Sequence, residues 1–328
     1  MRSLTLPVLL LAGVTALAQA APLAAQERTD GPLTVGVSIP PQAYFVQRVG
    51  GEYVRILTLV EPGQSPHSYE PTPRQMTALA EAGLYFSIGV EFERQTLPRL
   101  GKLFPKMAIV DTRAGVPLRK MSADAHCEHE HEHDGEHDDH AGHQHEGEHH
   151  EEHGETQPTE HDHAAGEADP HIWLSPALVK IQARTICIAL SSKDPAHADE
   201  YKRNLAAFEA DLDKIHERLA EALKPLKGQE VFVFHPAYGY FMDEFGLRQV
   251  PVEIAGKEPT ARQLAQLIDR AKAVGVHAVF VQPQFSKKTA QAVAEAIEGA
   301  VVAMDPLAAD YLDNLERMAE AVKAGLKR

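Results

Sequence analysis

Residues 196–224 run for 29 positions without glycine or proline, and Tyr201, Leu205, Phe208, Leu212, Ile215 and Leu219 recur along them at spacings of four, three, four, three and four. That rhythm keeps one apolar stripe on one side of an α-helix. At 1.5 Å per residue such a helix is on the order of 40 Å long, more than the core helix of one ordinary domain needs. The expected arrangement is a stiff strut lying against two domains.

The flanking sequence supplies those domains. Ahead of the strut, strand-like apolar runs at 33–39, 54–60, 84–88 and 107–110 alternate with helical stretches, one of them opened at 73–82 by Thr72 as a cap. The same rhythm returns behind it, with short strands at 231–234, 249–252, 278–281 and 300–303 separated by helices. This βαβα order belongs to parallel sheets covered by helices. The expectation is an α/β fold of two (βα)4-type domains, 31–195 and 225–328, joined by one long rigid helix at 196–224. No residue-level repeat is strong enough to establish duplication.

One segment breaks the pattern. Between Met121 and Asp169 there are thirteen histidines and no Val, Leu, Ile, Met, Phe, Tyr or Trp. Residues 122–169 cannot bury enough apolar surface to offset their ordering entropy, so a disordered insert is expected. A solvated acidic linker is the plain alternative, yet imidazole at this density points to transition-metal capture, zinc above all. The insert also explains the charge. From Asp124 to Asp169 there are 17 acidic and no basic residues, and removing them from a formal net charge of −15 leaves +2. A nearly neutral remainder argues against nucleic acid or an anionic membrane surface as partner.

Residues 1–20 read as a secretory leader: Arg2, an apolar stretch at 4–17, then Ala18-Gln19-Ala20 as a small-x-small cleavage site. A soluble, exported, periplasmic protein is expected, cleaved near Ala20. The two cysteines do not look structural, since Cys127 lies in the insert and Cys187 in a helical stretch where a small buried side chain is the simpler role.

Outside the insert six histidines remain. His197 and His216 fall on the strut and His277 precedes a strand, which suits surface or capping roles. The other three occupy proline-flanked loops. His67 follows the second strand in Ser65-Pro-His-Ser-Tyr-Glu-Pro71, His171 lies in Asp169-Pro-His-Ile-Trp173, and His235 follows a strand in Phe234-His-Pro-Ala-Tyr-Gly-Tyr-Phe241. Asp305 also follows a strand, in Met304-Asp-Pro-Leu307. Open α/β sheets bind ligands beyond the carboxyl ends of their strands, and proline restricts the backbone there. Each residue alone would pass as structural, but four such positions from two α/β halves make a metal site the better account.

These motifs, with Glu258-Pro-Thr-Ala-Arg-Gln-Leu264 and Gln282-Pro-Gln-Phe-Ser286, resemble the substrate-binding receptors of zinc and manganese ABC importers. The likeness covers nearly the whole mature chain and is strongest to the ZnuA-like zinc receptors, which the acidic His-rich insert also suits. The resemblance implies His67 and His171 as metal ligands from the first domain and His235 from the second, in a cleft between them. It implies Asp305 or water as the fourth ligand. Some relatives use a Glu beside the first histidine, where this chain has Pro66. It allows a Glu at position 235 in manganese binders, so His235 favours Zn2+.

Three imidazoles and one carboxylate suit tetrahedral zinc, whereas manganese prefers more oxygen donors. The implied function is capture of Zn2+ in the periplasm and delivery to an ABC permease and its ATPase, by a monomer without enzymatic activity. A receptor for manganese or another divalent metal is the alternative, as is a free-standing zinc buffer or chaperone. The chain also matches the His-Glu-x-x-His zinc-protease pattern at His129–His133 and His145–His149. That pattern works only on an ordered helix, and here it follows from composition.

Overall fold

The computed structural model describes residues 31–121, 168–253, 260–285 and 288–326. The expected leader, nearly all of the insert, both His-Glu-x-x-His matches and Cys127 lie outside them. Strands β1 (Leu33–Val37), β2 (Val54–Thr58), β3 (Leu84–Ser87) and β4 (Ala108–Asp111) form one parallel sheet in the order β2-β1-β3-β4. Strands β5 (Glu230–Val233), β6 (Arg248–Pro251), β7 (Ala278–Val281) and β8 (Ala300–Ala303) form a second in the equivalent order, β6-β5-β7-β8. All four residues of β3 and of β7 are buried. Such short continuous apolar strands are what a parallel sheet covered on both faces requires.

Helices α1 (Pro40–Gly50), α2 (Pro73–Leu79) and α3 (Glu93–Leu103) alternate with the first sheet, and α4 (Pro176–Lys193) follows the insert. The second half carries α6 (Gly239–Glu244), α7 (Ala261–Ala273), α8 (Lys288–Ala296) and α9 (Tyr311–Leu326). Between the halves runs α5 (Ala198–Leu223), 26 residues and therefore about 39 Å long. It is shorter than the glycine- and proline-free run because Pro195–His197 and Lys224–Leu226 form single 3-10 turns at its two ends.

The apolar stripe faces inward as its spacing requires: Tyr201, Phe208, Leu212, Ile215 and Leu219 are buried. The helix packs on α1 and α4 from the first half and on α9 from the second. Phe208 meets Phe45 of α1, which in turn meets Tyr311 of α9 edge-on at 4.8 Å. One apolar cluster consequently runs through both halves, and a second, formed around Phe232, Val250, Leu267 and Val293, belongs to the second half alone. A continuous core of this kind resists wide hinge opening, because separating the halves would expose several large aromatic side chains. Among the described residues no helix is long and apolar enough to cross a membrane.

Candidate metal centre

The strand order changes direction between β1 and β3 in one sheet and between β5 and β7 in the other, and the loops leaving the carboxyl ends part there to leave a crevice. His67 reaches it on the long loop from β2 to α2. Thr72 caps α2 reciprocally with Gln75. The Gln75 amide also donates to the Leu59 carbonyl at 2.8 Å and accepts from the Tyr69 hydroxyl at 2.7 Å. One side chain thus ties both ends of the loop. His235 lies two residues beyond β5, with its backbone carbonyl accepting from Gln282 at the end of β7. His171 opens the 3-10 turn Ile172–Leu174 that leads into α4.

From these three elements the imidazoles converge. Ring centroids lie 4.7 Å apart for His67 and His235, 5.3 Å for His171 and His235, and 6.5 Å for His67 and His171. One nitrogen from each falls within 4.8 Å of the others. Tetrahedral zinc with bonds of about 2.0–2.1 Å needs donors roughly 3.4 Å apart, so modest side-chain movement would close the three on an ion. Asp305 is not in this group. Its Oδ1 accepts from the Gln284 amide at 3.1 Å and from the Leu307 backbone at 2.9 Å. His197 pairs instead with Asp194, and His216 with Glu244.

Each of the three imidazoles is held at Nδ1 by a carboxylate: His67 by Glu91 at 3.2 Å, His171 by Asp169 at 2.7 Å, His235 by Glu253 at 2.5 Å. The carboxylate keeps the proton on Nδ1, makes Nε2 the ligating nitrogen and raises its basicity. Asp169 Oδ1 also accepts the His171 backbone N–H at 3.0 Å, fixing ring and main chain together. Burial pushes the His67 pKa below the ordinary histidine value, and its bond to Glu91 opposes that shift without cancelling it. Phe285 stacks on the His235 ring at 5.1 Å, and Trp173 lies 5.1 Å from His171 with its indole N–H donated to Pro306 across the cleft. These rings, with Pro66 and Pro306, line a small pocket shared by the three imidazoles.

The sequence reading assigned no role to Glu91, Glu253 or Phe285. A signal for the first two was available: each is an acidic residue just beyond a strand's carboxyl end, β3 and β6 respectively. Behind Glu91 lies a further buried carboxyl. Glu93 accepts from the Ile88 and Gly89 backbone and from the Ser38 hydroxyl, and burial pushes its pKa up to about 7. It clamps the turn from which Glu91 reaches His67.

Two parallel α/β halves bridged by one long helix, with two buried imidazoles and one half-buried one converging between them, have the form of a metal-binding receptor. The chain belongs to the ZnuA family, zinc-uptake complex component A, periplasmic, whose pattern it matches over residues 35–325. The family is one of substrate-binding receptors rather than enzymes.

Among its relatives is the high-affinity zinc uptake system protein ZnuA of Yersinia pestis, 30% identical over 277 residues, which are 83% of this chain and 82% of that protein. The protein of the same description from Brucella abortus (strain 2308) is 35% identical over 147 residues, 44% of each chain, so this match spans less than half of the Brucella protein. A crystal structure of ZnuA shares 37% identity and superposes with a TM-score of 0.75, covering 90% of this chain and 100% of that one. The laminin-binding protein Lmb of Streptococcus agalactiae, at 22% identity and a TM-score of 0.70, covers 90% of this chain and 100% of its own, and shares the fold.

Proposed function

We propose that this protein captures one Zn2+ ion on His67, His171 and His235, in the cleft between an N-terminal domain at 31–195 and a C-terminal domain at 225–328. It works in the periplasm and delivers the ion to the permease of an ABC importer driven by its ATPase. The observation that carries this reading is the convergence of three imidazoles, each oriented by its own carboxylate. Nitrogen donors in that number favour zinc over manganese, whose sites are richer in oxygen. Water or Asp305 completes the tetrahedron.

The outer carboxylates should matter measurably. Glu253→Ala is expected to weaken zinc binding about 10- to 100-fold, the usual effect of losing a partner that orients a ligand. Chelator competition would measure it, and unchanged affinity would remove Glu253 from the site.

All three histidines lie outside 122–167, so deleting that segment should leave one tight zinc event intact. The insert's thirteen histidines should account for additional, weaker and less selective binding, because each ion there must order a chain rich in alternative ligands. Calorimetry of the full and deleted chains tests both halves of the reading. Loss of the tight event on deletion would place the primary site in the insert and favour a zinc buffer over a receptor.

A further inference from the structure

The stem of the insert is clasped to the opposite half of the molecule. Lys120 and Ala168 form an isolated antiparallel bridge, and the Asp169 N–H donates to the Arg119 carbonyl at 2.9 Å. From the second half, the Tyr240 hydroxyl accepts the Arg119 N–H at 2.9 Å and donates to the Asp169 carbonyl at 3.0 Å. The Arg119 guanidinium lies over the Tyr240 ring at 5.8 Å, with Nε 3.5 Å from Asp243 and 3.8 Å from Asp169.

Asp169, 1% exposed, divides its carboxylate between two tasks: Oδ1 holds His171, and Oδ2 faces Arg119. Gly239, the first residue of α6, makes the approach possible. A Cβ there would stand 1.3 Å from Arg119 Nη1 and 2.4 Å from Cζ, although the glycine's own φ is not positive and its backbone would accept alanine.

We infer that Arg119 is a positioning residue for metal capture: seated on Gly239, it braces Asp169 and so sets the orientation of His171, making the ligand geometry depend on contact between the two halves. The inference rests on the metal-site reading above. Arg119 acts through Asp169, so a change in its seat on α6 moves a donor without replacing it. The same contact couples release to relative movement of the halves, since withdrawing α6 removes the brace from Asp169.

The test uses the full chain with Arg119→Ala, Arg119→Lys, Gly239→Ala and the Arg119→Ala/Gly239→Ala double variant. Zinc affinity is read by chelator competition, and the emission of Trp173, the single tryptophan, is read without metal as a reporter of the His171 turn. Arg119→Ala and Gly239→Ala should each weaken zinc about tenfold, the lower end of outer-partner effects, and shift the Trp173 emission alike. The double variant should be no worse than Arg119→Ala, because both changes remove one contact. Arg119→Lys should recover part of the loss by keeping a cation near Asp169.

Should Arg119→Ala fail to fold, Gly239→Ala and Arg119→Lys carry the test, with melting curves separating folding from binding. Normal zinc affinity and emission in folded Arg119→Ala or, in its place, Gly239→Ala would overturn the clasp, as would additive effects in the double variant. An unaltered protein that bound no zinc would overturn the metal reading itself, and the clasp with it.

Discussion

Replacing His171 by alanine is expected to lower zinc affinity by more than about a hundredfold, beyond the range for loss of an outer partner. His67→Ala and His235→Ala should do the same. Each removes one of three strong nitrogen donors, and a water in its place is a weaker ligand that no carboxylate orients. The carboxylate behind the lost ring would also lose its imidazole, which should cost folding stability most at Glu253, 6% exposed, because Asp169 keeps the backbone N–H of residue 171 and its contact with Arg119. Asp305→Ala should be milder, because water can take the fourth place. Competition with a chelator gives the ranking, and growth of zinc-starved cells should follow it. A silent His235→Ala beside an abolishing Asp305→Ala would favour an oxygen-rich site and a different metal.

The elements of this fold were legible because each depends on short-range pattern. The strands at 278–281 and 300–303 match their sequence ranges residue for residue, and Thr72 caps α2 as its position suggested. The ends of the long helix were less so, since the glycine- and proline-free run extends into the 3-10 turns Pro195–His197 and Lys224–Leu226, where the hydrogen-bond pattern changes. The three histidines stood out by their proline-flanked loops, two of which follow strands.

The pairing that orients them did not. Glu91 lies 24 residues from His67, Glu253 lies 18 from His235, and Pro306 lies 133 from Trp173. Such partners are chosen by how strand ends meet across a crevice, and no local period encodes that. The Arg119 seat on Gly239 is harder still, because its signal is the absence of one Cβ.

Zinc affinity should collapse between about pH 7 and pH 5, by roughly a hundredfold to a thousandfold, since each protonated imidazole must lose its proton to ligate and costs about tenfold per pH unit below its pKa. The sign at His67 sets where the fall begins. Burial holds its pKa below the ordinary value, so this ligand stays neutral to lower pH than a solvent-exposed histidine would. Its share of the loss therefore starts below about 6.5, the reference value.

The same shift acts on the metal-free fold. Between that reference and the lowered native value the unfolded chain binds more protons than the folded one, so His67 makes stability fall as pH falls through this window, and contributes no further change below it. Metal and acid thus compete for the same imidazoles, zinc drawing them toward the neutral form and acid toward the charged one. Chelator competition at stepped pH, run beside melting curves of the metal-free protein, separates the two effects. A binding curve that stayed flat from pH 7 to pH 5 would exclude a site built on three imidazoles.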